Sequence, residues 1–319
     1  MMSLQTLNFK SIFALLALYI GWGSTYMAIA LALECFPPFM LAGIRFILAG
    51  LIFFLWSLWK GIQFPKREEM LKICLAGFLL LFLGSGSVVW VEQYLSSGLT
   101  SIVWASLPIW LVAMDRKRWK FYLSNLKLIS GLLLGLLGVI LLFADKELIR
   151  VIENGTLLAF MIAIFGVVCF AFGSLYSKNI SCKSTTIFIV AVQMIFVGVL
   201  SLIISLSLGE KFISHPGSSI LNSILGLLYL IIVGSLIAYF SYLWLLNVLP
   251  PTTVGTYTYV NPAIAILLGW WLLNENITNP KILALILIFI GVFMVNYYKT
   301  KIPKGKPGQL EYKNHICTK

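Results

Sequence analysis

Residues 126–143 read LKLISGLLLGLLGVILLF, and residues 281–298 read KILALILIFIGVFMVNYY. Each run falls within the range of about 17–25 apolar residues that a helix needs to cross a hydrocarbon core about 30 Å thick. Each also carries the same glycine-led stretch. Gly138-Val139-Ile140-Leu141-Leu142 in the first is matched by Gly291-Val292-Phe293-Met294-Val295 in the second, 153 positions later. The pair therefore says two things at once: the chain crosses a membrane, and it contains an internal repeat.

Working outward, comparable runs lie near 11–33, 38–59, 71–91, 95–114, 126–143, 155–176, 184–208, 220–246, 252–273 and 281–298. They lack period-2 alternation, so they read as helices, which satisfy their own backbone polar groups in lipid. The 319 residues are 60% hydrophobic and 11% charged, against about 45–50% and about 25% in a soluble domain. That composition excludes a soluble globular protein, a disordered chain and a disulfide-stapled module. Cys35, Cys74, Cys169, Cys182 and Cys317 are scattered without a CxxC pair, so neither a disulfide framework nor a zinc site is suggested. Ala28-Ile29-Ala30 resembles a signal-peptide cleavage box. The run before it exceeds the roughly 7–15 residues of a signal core, and the repeat needs this helix.

Two further matches fix the repeat. Trp90 and Pro108 stand 18 residues apart, as do Trp244 and Pro262, at an offset of 154. Gly23-Ser24-Thr25-Tyr26 in helix one returns as Gly173-Ser174-Leu175-Tyr176 in helix six, at an offset of 150. Matches in the same order at similar offsets divide the chain into two five-helix halves, 11–143 and 155–298, flanked by residues 1–10 and a basic tail over 299–319. Five is odd, so the second half enters the membrane from the opposite side. The expected fold is all-α and membrane-integral: ten transmembrane helices in two inverted repeats, an architecture that places a substrate site near mid-membrane between the halves.

Basic residues set the orientation. The side shared by both termini collects 18 Lys and Arg and the other side 4, with Arg45 inside a span. Both termini are thus expected in the cytoplasm. The net charge of +12 reflects this topology rather than a nucleic-acid partner. The tail, with Lys299, Lys301, Lys304 and Lys306, lies where anionic headgroups attract cations.

Arg45 is the one charged residue well inside a span. A charge there is costly, by about 2.5–3.5 kcal/mol on insertion scales, and is by default functional and inward-facing; snorkelling or capping of a neighbouring helix is the alternative. Its repeat-equivalent position lies near Val199, so the charge is not symmetric, and it offers a carboxylate-bearing substrate a deep positive partner. Trp22, Ser24, Thr25 and Tyr26 put polar groups in mid-span. Trp22 and Tyr26 share a face and suit a cavity wall, whereas Gly23 and Ser24 suit close packing. Pro108 and Pro262 interrupt spans and free backbone carbonyls, and paired interruptions point to a binding site as well as to packing kinks. Tyr257, Thr258, Tyr259 and Asn261 make the second interruption polar, and Trp104, Ser106 and Trp110 flank the first. Trp56 and Trp59 read as interfacial anchors. Glu34, Glu92 and Glu275 read as solvated helix ends, and Gln193 as a buried polar group facing the cavity or a neighbouring helix. Gly131, Gly135 and Gly138 read as close packing within the fold rather than a dimer face. Asn154-Gly155-Thr156 and Asn276-Ile277-Thr278 are sequons, relevant in a glycosylating host. Walker A, HExxH and GxSxG motifs and a Ser/His/Asp set are missing from the sequence, so nothing argues for ATP-driven transport within the chain or for hydrolysis; neither an enzyme nor a cofactor is expected.

Gly21-Trp22-Gly23-Ser24-Thr25-Tyr26, Pro37-Pro38-Phe39 followed by Arg45, Asn261-Pro262 and Gly269-Trp270-Trp271-Leu272-Leu273-Asn274-Glu275 together resemble the EamA family of the drug/metabolite transporter superfamily. The resemblance runs over about residues 10–298 as two EamA-type repeats. It implies a bacterial cytoplasmic-membrane permease that exports amino acids or related metabolites by alternating access. It also implies that Trp22 to Tyr26, Arg45, the region of Trp90, and Tyr257 to Pro262 build the central cavity. Two departures stand out: helix seven has no Arg, and Asn274 stands where the family often has Gly. The expected partner is a small-molecule solute. Direction, coupling ion (protons being one option) and a monomeric or homodimeric state stay open. The competing classes are a membrane-embedded enzyme or flippase acting on lipid-linked substrates, which needs a cluster of acids or histidines, and an ion channel, which needs an ordered filter.

Overall fold

The computed structural model describes residues 9–62, 64–95, 97–143, 157–180, 182, 184–212, 219–264 and 279–297. His215, His315, Glu275, the motif at 269–275, both sequons and the basic tail lie outside them. Helix α1 (Phe9–Leu33) ends just before a tight turn, and α2 (Pro38–Trp59) starts on Pro38, where the missing N–H would have had no partner anyway. The next free N–H groups, of Phe39 and Met40, donate to the Glu210 carboxylate at 3.3 and 2.8 Å. A carboxylate there also complements the positive helix end. Then come α3 (Arg67–Val91) and α4, in two pieces, Ser97–Trp104 and Leu107–Met114. A basic segment, Arg116–Ser124, meets the following helix at 94°, pinned by Tyr122 donating to Asp115 at 2.8 Å. Helix α5 is Leu126–Phe143, α6 Leu157–Lys178, α7 Thr186–Ser207 and α8 Ile220–Val248. Helix α9 begins as Pro251–Gly255 and 257–264, and α10 is Asn279–Tyr297.

Seven of these helices are long and apolar enough to cross a membrane unaided, and α5 with its bent partner makes an eighth. Helix α4 is shorter and broken, and α9 is described only as far as residue 264. Large apolar side chains stay exposed along the outer faces, such as Ile203 and Leu206 on α7 and Phe289 and Phe293 on α10. A belt of this kind belongs against lipid.

The seams between helices give the topology. A Cβ placed on Gly43 of α2 would meet Leu202 of α7 at 2.5 Å, and one on Gly198 would meet Ile47 at 2.7 Å. Numbers rise along α2 as they fall along α7, so the two helices are antiparallel. The contacts also exchange under the repeat, since 43 maps to 198 and 47 to 202. Helices α5 and α10 repeat the pattern: Gly135 lies against Gly291, and Gly138 against Ile288. A contact in which each partner plays the other's role is the mark of a two-fold axis. Equivalent helices running antiparallel make the repeats inverted. Helix α1 likewise runs against α8, and α3 against α6, a pairing that also maps onto itself. Gly131, Gly135 and Gly138 thus serve packing inside the chain.

Candidate functional site

The backbone is irregular where the halves meet. Phe78–Ser85 of α3 and Leu230–Tyr239 of α8 are π-helical, and their starts are 152 residues apart, so they are repeat-equivalent. π turns are rare and favour functional sites. Helix α4 breaks at Ala105–Ser106, shortly before Pro108, and α9 breaks at Thr256, ahead of Pro262. Pro108 sits in the first turn of Leu107–Met114, where its missing N–H costs nothing, and Pro262 lies within 257–264 rather than at the break.

Between these elements lies a cavity in which the centres of water molecules have about 50 Å³, room for only a few of them at roughly 10–15 Å³ each. Helix α1 gives it Trp22, Thr25, Tyr26 and Ile29, and α2 gives Arg45. Helix α3 gives Ser85 and Val88, α4 Trp104, α6 Phe170, and α9 Tyr257 and Asn261. Trp22 anchors the aromatic side: its ring centre is 4.7 Å from Tyr257, 5.2 Å from Tyr242 and 6.0 Å from Phe170. Trp104 stands edge-on to Phe170 at 5.2 Å. Tyr242 is held in turn by Ser174, 2.5 Å away. Rings meeting edge-on at these distances gain beyond their burial, so this is a braced surface.

The polar atoms of the wall are more telling. Trp22 Nε1 donates to the Gly234 carbonyl at 3.1 Å, and Thr25 to the Trp22 carbonyl at 2.8 Å. Trp104 Nε1, the Tyr257 hydroxyl and Asn261 Oδ1 are buried without a hydrogen-bond partner among the described residues. Each such atom costs about 1–3 kcal/mol, and native structures rarely leave one without a reason. Here three of them line one cavity. Arg45 lines it as well, 7% exposed. Its Nε donates to Ser235 Oγ at 2.8 Å, and the guanidinium carbon lies 5.0 Å from the Phe46 ring centre. Among the described residues no carboxylate pairs with it. The Tyr26 hydroxyl faces Asn261.

The structure therefore gathers Trp22, Thr25, Tyr26, Arg45, Trp104, Tyr257 and Asn261 around one space. Three other candidates lie elsewhere. Ser24 faces outward and bonds Tyr229 Oη at 2.6 Å and the Ile20 carbonyl, because it projects from α1 on a different side from Trp22 and Tyr26. Trp90 packs on Tyr94, their rings tilted at 44° with centres 4.8 Å apart, and borders a smaller cleft with Pro38 and Phe82. Tyr259 points into the α5 seam, its ring against Gly135 and its hydroxyl donating to the Leu132 carbonyl at 3.0 Å. Trp110 and Ser106 bond each other at 3.2 Å. Gln193 meets a neighbouring helix, accepting from Tyr239 at 2.7 Å. Both Glu92 oxygens are buried, which corrects its reading as a solvated helix end. Sequence reasoning missed Phe170, Ser85 and Val88. Phe170 had a signal, standing one turn before the repeated Ser174.

Fold and cavity define a polytopic membrane transporter built from inverted repeats. The chain belongs to the EamA-like transporter family, whose profile matches residues 9–144 and 157–297. The uncharacterized inner membrane transporter YedA of Escherichia coli (strain K12) is 34% identical over 92% of both chains. A probable amino-acid metabolite efflux pump of the same organism is 26% identical, over 88% of this chain and 92% of its own. A crystal structure sharing 17% identity superposes with a TM-score of 0.68, over 90% of this chain and 96% of the other, and so shares the fold. Like YedA, the protein belongs to the bacterial inner membrane, which it crosses several times.

Proposed function

We propose that the protein is a secondary active transporter that exports amino acids or closely related metabolites by alternating access between its inverted repeats. The observation that carries this reading is the convergence on one aromatic-walled cavity of three polar atoms without a partner, and of an Arg45 without a carboxylate, among the described residues. A carboxylate suits the guanidinium, an ammonium group suits Asn261 Oδ1 and the Tyr257 hydroxyl, and an apolar side chain suits the Trp22, Trp104 and Phe170 rings. Few, well-placed polar groups in an apolar wall are what a small-molecule site needs. The name of the efflux-pump relative supports the same substrate class and direction.

With both termini cytoplasmic, the lining from Trp22 to Ile29 on α1 and from Ser85 to Val88 on α3 climbs toward the outside. The rings of Trp22, Tyr242 and Tyr257 close the cytoplasmic side. This reads as an outward-directed state, which ligand binding and a second conformation would exchange for its inverse. The test is uptake and counterflow in proteoliposomes with labelled amino acids, with and without a pH gradient. Saturable, stereoselective counterflow is expected. Inorganic ion flux at channel rates, or no passage of any amino acid, contradicts the proposal.

A further inference from the structure

Arg45 is held by two adjacent residues of the α8 π segment, and neither belongs to the lining that the sequence marked. Ser235 is fully buried, and its Oγ accepts the Arg45 Nε–H at 2.8 Å. Its neighbour Gly234 gives clearance, since a Cβ there would come within 2.9 Å of Arg45 Nη2. The Gly234 carbonyl also holds Trp22 through Nε1, so one stretch of backbone positions both the cation and the main ring of the cavity.

A guanidinium binds a carboxylate bidentately through a rigid fork of five N–H donors. It presents two such edges, one formed by Nε with one Nη and the other by the two Nη groups. With Nε committed to Ser235, the side-on edge is spent and the end-on edge remains. We infer that Gly234 and Ser235 are positioning residues that fix Arg45 for end-on recognition of a carboxylate, and that they set the preference for free acids over their amides. This rests on the carboxylate-bearing substrate proposed above. The preference has a chemical basis: an amide offers one acceptor oxygen and a competing NH₂ donor to a fork that has donors alone. The sequence had no means to pair Arg45 with Ser235, 190 residues away.

The experiment compares L-phenylalanine and L-threonine with their amides as competitors of counterflow in proteoliposomes. The proteins are wild type, Arg45→Ala, Ser235→Ala, Ser235→Thr and Gly234→Ala, each first checked for monodispersity in detergent. Wild type prefers the acids. Ser235→Ala lowers that preference by about tenfold, the worth of one hydrogen bond to a charged group. It does so by raising the half-saturation for acids while the maximal rate and the amide values hold. Ser235→Thr keeps the acceptor oxygen and restores the preference. Gly234→Ala pushes the guanidinium aside and lowers acid affinity at least as much. A Ser235→Ala protein with wild-type preference, while Arg45→Ala loses it, overturns this inference and leaves the transporter reading intact. A wild type that treats acids and amides alike, or takes neither, overturns the carboxylate reading itself.

Discussion

The α5–α10 seam and the central cavity obey the same pseudo-two-fold in opposite ways. In the seam, Gly135 against Gly291 and Gly138 against Ile288 are interchangeable under the repeat, and the same is true of Gly43 and Gly198 between α2 and α7. At the cavity the two halves diverge. Trp22 is 8% exposed at the core of the site, whereas Phe172, at its repeat position, is 50% exposed on the outer surface. Arg45 has no basic counterpart near Val199. Symmetric glycines let paired helices lie at contact, as the proposed alternating access requires of both its arrangements. The cavity instead takes its cation and most of its lining from the first half, to which the second half adds Phe170, Tyr257 and Asn261.

Breaking the seam should have the largest effect. Gly291→Leu places carbon where the Gly135 nitrogen lies 2.5 Å from the first added atom. Backbone cannot rotate away as a side chain can, so the loss should reach or exceed the roughly 1–3 kcal/mol usual for overpacking. It should appear as aggregation on size-exclusion chromatography in detergent. Arg45→Ala should leave the protein monodisperse yet cut counterflow of carboxylate substrates by about 10- to 100-fold, the range for charged hydrogen bonds. Unchanged kinetics would return Arg45 to a structural role. Tyr257→Phe removes only a hydroxyl without a partner among the described residues. It should weaken apparent affinity by about three- to tenfold while slightly raising thermal stability, a pairing that a purely structural residue would not give. Ser24→Ala, outside the cavity, should shift neither transport nor stability by more than about 0.5 kcal/mol.

Much of this comparison was legible in the residues. Helical runs, glycine spacing and the odd helix number per half yield an inverted-repeat membrane protein, because lipid restricts backbone to few solutions. The cavity was partly legible: Trp22, Tyr26, Arg45 and Asn261 are polar or bulky in places where a span has no packing need for them. Ser24, Trp90 and Tyr259 were misplaced for a shared reason. A polar or aromatic group inside a span has two sides to face, and the neighbouring helix decides which, as Tyr229 does for Ser24 and Gly135 for Tyr259. The π segments were not legible at all. Phe78–Ser85 and Leu230–Tyr239 are ordinary apolar stretches, and what sets them apart is tertiary: Phe170 lies against the first, Arg45 and Trp22 against the second.

The most direct measurement follows two cysteines on opposite sides of the aromatic cluster, in a variant lacking Cys35, Cys74, Cys169, Cys182 and Cys317. Val88→Cys lies toward the outer ends of α1 and α3, and Ser174→Cys beneath Tyr242. Reactivity toward a membrane-impermeant maleimide, applied to right-side-out and inside-out vesicles, is recorded with and without a transported amino acid. Val88→Cys should label from outside and Ser174→Cys from inside, with one rising as the other falls when substrate shifts the population. Both labelling together from one face, or neither responding to substrate, would contradict alternating access.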